Sequence, residues 1–276
     1  MALPEGASSA GALLREWRQR RNLSQLELAL RSAVSARHLS FIETGRARPS
    51  REMVLHLADR LDVPLRDRNR LLLAAGFAPV FGEHSLEESE MAAARQALER
   101  FLLAHEPYPA LAVDRHWNVL AANRGVAYVN RDVAPELRRP PANALRIALH
   151  PEGLASRISN LSNWSSYLLA RLRREIEATG DRELESLYEE LVAYPGTTTE
   201  FDPEGPLNSN DVLFMQELRL DDRDLALFCT LTTFGTPRDL TLAELSIVSF
   251  YPANAQTAEA LRGAVGEAQP GQLLHG

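Results

Sequence analysis

The sequence predicts two domains of different class: an all-α domain of five helices over residues 10–76, and an α+β domain over 86–265 whose sheet has five antiparallel strands covered by helices. Three observations carry this. Apolar residues from Leu13 to Leu73 recur at helical spacing and are punctuated by Ser24, Ser35 and Ser50 at cap positions. From Ala110 onward short β-like runs come as a group of two, a long helical stretch, and a group of three. The charge divides at the same place: residues 1–76 carry 13 Arg against 8 acids, a net of +5, and residues 77–276 carry 17 Arg against 29 acids, a net of −12.

In the first domain a helix over 12–21 turns Leu13, Leu14 and Trp17 inward. Ser24 then caps a short helix, with Glu27 three residues on completing a capping box. A tight turn near Ser32-Ala33 follows, and Ser35 caps the next helix, which Gly45 ends. Leu23, Leu26 and Ala29 share one face, as do Val34, Leu39 and Ile42, with Ala29 small where two helices must cross. Two short helices joined this way make a helix-turn-helix, whose second helix can enter the major groove of DNA. Ala36, Arg37, Ser40 and Phe41 are left facing outward on that helix, and Arg46 and Arg48 stand just beyond it, where phosphates can be met. Ser50 caps a fourth helix over 51–61, Asp62-Val63-Pro64 breaks it, and a fifth over 65–75 stops at Gly76. Residues 77–85, with Pro79 and Gly82, read as a linker.

The second domain opens with a helix over 86–104. Strands over 110–113 and 117–122 follow, turned at Asp114-Arg115-His116, and Asn123 caps the next helix. Helices are expected over 143–149, 160–178 and 182–193, a loop over 196–210, and strands over 212–220, 225–234 and 242–251. Two strands, a helical insertion and three strands describe a sheet with helices on one face. A last helix covers 254–262, and 266–276 read as a disordered tail.

Composition excludes several function classes. No apolar run reaches eighteen residues, so no transmembrane helix is expected. The first eleven residues lack the charged start and apolar core of a secretory signal. The single Cys229, in an apolar run, excludes an internal disulfide and argues against a thiolate zinc site. All 30 basic residues are Arg. HExxH, GxGxxG and Walker patterns are absent and the seven His are scattered, so no enzyme, metal or cofactor is expected. A basic small domain joined to an acidic larger one suits a cytoplasmic DNA reader attached to a part that does not touch DNA.

The stretch 10–76 resembles the Cro/repressor type of helix-turn-helix, the xenobiotic-response-element class with a lambda-repressor-like fold: Ser24-Gln25, Ala29, Val34-Ser35 and Ile42-Glu43-x-Gly45 stand at that family's spacing. It departs at Ala33, where Gly is commoner and where a negative φ would make the change mild. The resemblance implies that Gln25 touches a phosphate, that Ala36, Arg37 and Phe41 face base edges, and that Thr44, Arg46 and Arg48 hold the backbone of a double-stranded operator, with Ser35, His38 and Ser40 completing the surface.

The wider pattern is similar to the MmyB-like regulators. Arg37-His38-Leu39-Ser40-Phe41-Ile42-Glu43-Thr44-Gly45-Arg46-x-Arg48-Pro49-Ser50-Arg51, Leu71-Leu72-Leu73-Ala74-Ala75-Gly76-Phe77-Ala78-Pro79, His150-Pro151-Glu152-Gly153-Leu154 and Ser249-Phe250-Tyr251-Pro252-Ala253 carry it. It departs at Leu161, where that family tends to have Trp after Asn160; Trp164 lies three residues on. The resemblance implies a PAS-like C-terminal half, a fatty-acid-like amphiphile as ligand and a homodimer. Trp164, Tyr167, Leu168, Phe214, Phe228 and Phe250 are expected between sheet and helices, with Asn160 beside them. His150 is placed to meet a polar head, and one of Arg146, Arg157 and Arg171 to fork a carboxylate. The competing expectation is a C-terminal half with a full core that binds nothing and serves only for dimerisation.

Overall fold

A computed structural model describes residues 9–200, 215–235, 237, 239–266 and 274–275. The chain divides into two compact units, one of Met1–Glu83 with Pro237–Ala243, the other of His84–Thr236 with Glu244–Gly276.

The first unit begins with α1 (Ala10–Arg20), two residues earlier than the apolar pattern predicts because the Ser9 hydroxyl accepts from the Ala12 N–H at 3.2 Å. In α2 (Gln25–Arg31) both capping-box bonds form, Glu27 N–H to Ser24 Oγ at 3.1 Å and Ser24 N–H to Glu27 Oε2 at 2.7 Å. The second bond holds the Glu27 carboxyl below its ordinary pKa. Ser35 caps α3 (Ala36–Glu43) and Ser50 caps α4 (Arg51–Arg60) in the same way. Next comes α5 (Leu65–Ala74), and its Asn69 side chain bonds the Phe81 carbonyl at 2.8 Å and the Val80 N–H at 3.0 Å. Part of the stretch expected as a linker is therefore tied down. Leu14, Leu28, Leu39, Ile42, Leu57, Leu71 and Leu72 fill the centre, each contributing about 1.5–3 kcal/mol by burial. Gly11 lets α1 cross α3 at backbone contact: a Cβ there would meet the Ile42 carbonyl oxygen at 2.1 Å.

Ala33 corrects an expectation. It sits at φ 52°, in the left-handed region, not at a negative φ. The turn demands it, since the Val34 N–H must reach back to the Ala29 carbonyl at 3.0 Å. An L-residue with a Cβ pays about 1–2 kcal/mol there. Ala33→Gly is therefore expected to stabilise the protein by about 1 kcal/mol, read as a higher midpoint of chemical denaturation.

The second unit runs through α6 (Ala92–Ala104), β1 (Ala110–Val113), β2 (Val119–Ala122), α7 (Arg124–Val129), α8 (Ala144–Leu149), α9 (Leu161–Thr179), α10 (Arg182–Val192), β3 (Met215–Leu220) and β4 (Arg223–Thr233). Then α11 (Leu240–Ala243), grouped with the first unit, precedes β5 (Ser246–Pro252), α12 (Ala255–Gly266) and β6 (Leu274–His275). The sheet order is β3-β4-β5-β1-β2-β6 with every pair antiparallel. Five strands are those expected; β6 adds two residues beside Ala121 and Ala122, within the tail expected to be disordered. Residues 212–214 of the third expected strand, Phe214 among them, lie outside the described residues.

Helices cover both faces of this sheet, not one. On the first face Ala110, Ala112 and Ala121 admit α6 through Leu98 and Leu102, with Ile247 beside them. On the other, Leu111, Val113, Ala122 and Val248 meet the helical insertion. Strand β1 is accordingly buried at all four residues. The strand expected from residue 242 starts at Ser246, because the Asp239 carboxylate accepts from the Thr241 N–H at 2.9 Å and opens a helical turn instead. The strand expected from Trp117 starts at Val119, because Trp117 is held at φ 67° in a turn whose Asp114 Oδ1 accepts from the His116 and Asn118 N–H groups at 2.8 and 2.9 Å.

Candidate nucleic-acid interface and ligand cavity

Helix α3 is fixed from behind. The Arg18 guanidinium of α1 forks the Glu43 carboxylate at 2.7 and 2.9 Å, and both side chains are buried. Arg18 also donates to the Leu23 carbonyl at 2.7 Å. The pairing with Glu43 raises the Arg18 pKa, so its charge is permanent. The Gln25 amide donates to the same Glu43 carboxylate at 2.8 Å. Three helices thus share one carboxylate, and the orientation of α3 is set before any partner arrives. A primary amide carries two hydrogens, so this bond leaves Gln25 one for a phosphate.

Among the outward residues of α3, Arg37 is exposed and its guanidinium lies 5.4 Å above the Phe41 ring. Ala36, His38, Ser40 and Phe41 are half-buried. The Ser35 hydroxyl serves as cap, accepting from the His38 N–H, and keeps its own hydrogen to donate. The Thr44 hydroxyl donates to the Ser40 carbonyl at 2.7 Å, so it must turn away from its helix before it can hold a phosphate. Arg46 and Arg48 are exposed and, among the described residues, form no ion pair; the same holds for Arg37. Unpaired guanidinium groups round a prepositioned helix form an anion-seeking surface.

In the second unit a cavity of about 520 Å³ separates sheet from helices. Leu111, Leu227, Cys229, Val248 and Phe250 form its floor; Val126, Leu145, Ile147, Trp164, Tyr167 and Leu168 form its roof, and Trp117 enters from the β1–β2 turn. A packed interior keeps few voids larger than a water, whereas this volume matches a small-molecule site. Burial pushes the Cys229 thiol above its ordinary pKa, so it lines the cavity as a neutral group.

Of the expected ligand residues, Trp164, Tyr167, Leu168 and Phe250 line this cavity. His150, Arg157, Asn160 and Phe228 do not. His150 closes a local turn, its Nδ1 accepting from the Glu152 N–H at 3.1 Å, and its ring meets Tyr194 edge-on at 5.0 Å. Arg157 donates to the Asp132 carbonyl at 2.9 Å. The Asn160 amide clamps β3, donating to the Met215 carbonyl at 2.8 Å and accepting from the Glu217 N–H at 3.1 Å. Phe228 points to the opposite face of β4 and stacks on Tyr251 at 5.3 Å. Arg146 is engaged by Glu190 at 2.7 to 3.1 Å; burial and that carboxylate push the neighbouring Tyr194 hydroxyl up to about 12. Two cavity cations remain. Arg171 lies 3.1 Å from Glu175 and 5.5 Å from the Trp117 ring, and Arg138, which the sequence reading passed over, is exposed and without an ion pair among the described residues. Arg138 stands five residues ahead of Asn143, the cap of α8, in a segment without periodicity, so no pattern singled it out.

The family model described as MmyB-like transcription regulator ligand binding domain matches residues 94–264, and a helix-turn-helix model matches 14–67. The chain belongs to the MmyB-like transcription regulators. It is a DNA-binding transcription regulator with a ligand-binding domain. No curated protein matches it. Among solved structures, one titled "Structure of an RNA-binding Light-Oxygen-Voltage Receptor" aligns at 14% identity with a TM-score of 0.25, covering 96% of this chain and 63% of that one. A likeness of that size carries no argument. Among the described residues no helix is long and apolar enough to cross a membrane, and no cluster of His, Cys, Asp and Glu is arranged to hold a metal.

Proposed function

We propose that this regulator reads an operator as a homodimer through α3, and that a lipid-like amphiphile held in the cavity of a PAS-like domain controls that binding in the cytoplasm. The observation that carries the reading is the cavity: an apolar void of about 520 Å³ beside Arg138 and Arg171 suits an apolar tail with an anionic head. It also disfavours the rival in which a full core only dimerises. A ligand acts here by preferring one dimer geometry, in which two recognition helices match half-sites roughly 34 Å apart. Solvent extraction of the purified protein followed by mass spectrometry tests the ligand class; a stoichiometric acyl compound supports it, and an empty extract together with no response to added fatty acids favours the rival.

The DNA side makes its own prediction. With roughly three to five phosphate contacts per subunit, log K against log salt should fall with a slope of about −5 to −9. Arg48→Ala should weaken binding to all sequences alike and flatten that slope by about 1 per subunit. Arg37→Ala should cost about 1–3 kcal/mol on the operator and relax one base pair per half-site, because a guanidinium there can fork guanine O6 and N7. Electrophoretic titrations over a salt series, with a binding-site selection for Arg37→Ala, separate the two roles. Salt-insensitive binding would contradict the phosphate account, and an unchanged selected motif would remove Arg37 from base reading.

A further inference from the structure

The inward row of β3 breaks its own pattern. Leu218 and Leu220 face the core, each 1% exposed, and the residue two before them on the same face is Gln216, 4% exposed. Gln216 lines the cavity, and its carboxamide makes no hydrogen bond with any described residue. A carboxamide that faces a cavity with no protein partner is free to bond whatever fills that cavity. The position is deliberately held: the Asn160 side chain bonds the Met215 carbonyl and the Glu217 N–H, the backbone groups on either side of Gln216. That clamp brings Gln216 against the first turn of α9, which carries Trp164. Trp164 is 2% exposed, lines the same cavity, and its indole N–H also lacks an acceptor among the described residues. The cavity wall therefore presents a carboxamide that no described residue engages and, from the facing helix, a buried indole N–H without an acceptor.

We infer that the occupant of the cavity carries a second oxygen, a hydroxyl or a carbonyl on its apolar body, that hydrogen-bonds Gln216. The ligand class is an oxygenated acyl chain and not a plain saturated one. A carboxamide both donates and accepts, so it takes either group, and the Trp164 N–H supplies a further donor on the same cavity wall. The anionic head is left to Arg138 at the exposed side. This rests on the reading that the cavity takes an amphiphile.

The test uses the full-length delipidated protein and matched probes: hexadecanoic acid, and a series of hexadecanoic acids bearing one hydroxyl or one keto group at successive chain positions. Affinities are measured by calorimetry. At least one oxygenated probe should bind about tenfold more tightly than the plain acid, the factor that one net hydrogen bond of about 1.4 kcal/mol supplies. Gln216→Leu should erase that preference while keeping affinity for the plain acid. The same variant without ligand should melt no lower than the natural protein, because it breaks no hydrogen bond to a described residue and puts an apolar side chain of similar size on an apolar wall. Equal affinity for plain and oxygenated chains, or a Gln216→Leu protein that melts clearly lower, overturns the inference and leaves the amphiphile reading standing. Failure of every probe to bind overturns both.

Discussion

Replacing Glu43 by leucine is expected to destabilise the DNA-binding unit by about 3–5 kcal/mol, the largest effect of any single substitution considered. The carboxylate is buried and serves two partners at once, the Arg18 fork and the Gln25 amide. Its removal strands a guanidinium that is itself buried and keeps only the Leu23 carbonyl as a partner. Breaking one side of a buried ion pair costs that much because the surviving charge stays desolvated. The double variant Arg18→Met, Glu43→Leu should recover most of the loss, since a well-packed apolar pair is often as stable as the ions it replaces. Chemical denaturation of the three proteins checks both statements. A Glu43→Leu protein within about 1 kcal/mol of the natural one would show that the pair contributes orientation without stability.

Filling the cavity should abolish the response to ligand. A fatty acid at a hundred times its dissociation constant should raise stability by about 2.7 kcal/mol, seen as a higher melting temperature. Leu168 lines the roof on α9 and is buried, so Leu168→Trp puts an indole into the space the tail would take. The variant should fold and melt at a temperature that fatty acids no longer change. A Leu168→Trp protein that keeps the full shift would place the ligand elsewhere.

Much of this was legible in the residues, and the failures have physical causes. Cap chemistry is local, so Ser24, Ser35 and Ser50 located their helices to within a residue or two. Left-handed backbone at Trp117 was not legible, because a Trp does not advertise a positive φ and the turn geometry imposes it; at Ala33 the signal was the Gly commoner at that position, which marks a turn needing positive φ. The outward side of Phe228 is legible from parity. Strand side chains alternate, and Leu225 and Leu227 face the core, so parity puts Cys229 inward and Phe228 outward. The same rule on β3 picks out Gln216 from Leu218 and Leu220. His150, Arg157 and Asn160 carry ligand-binding chemistry, but it is spent on backbone, within its own turn for His150 and far away in sequence for Arg157 and Asn160, which a linear pattern does not reveal. The second covered face of the sheet was signalled by the alanines of β1 and β2, small where α6 packs close.

The most direct measurement is operator affinity of the full-length delipidated protein, titrated with and without a fatty acid that raises its melting temperature. The account predicts that saturating ligand changes the dissociation constant from the operator by about 5- to 150-fold, the usual size of coupling between two sites, that the Leu168→Trp protein shows no such change, and that affinity for unrelated duplex moves much less. An operator affinity that stays the same with and without bound ligand would contradict it, because a ligand that does not distinguish the two DNA-binding geometries cannot regulate.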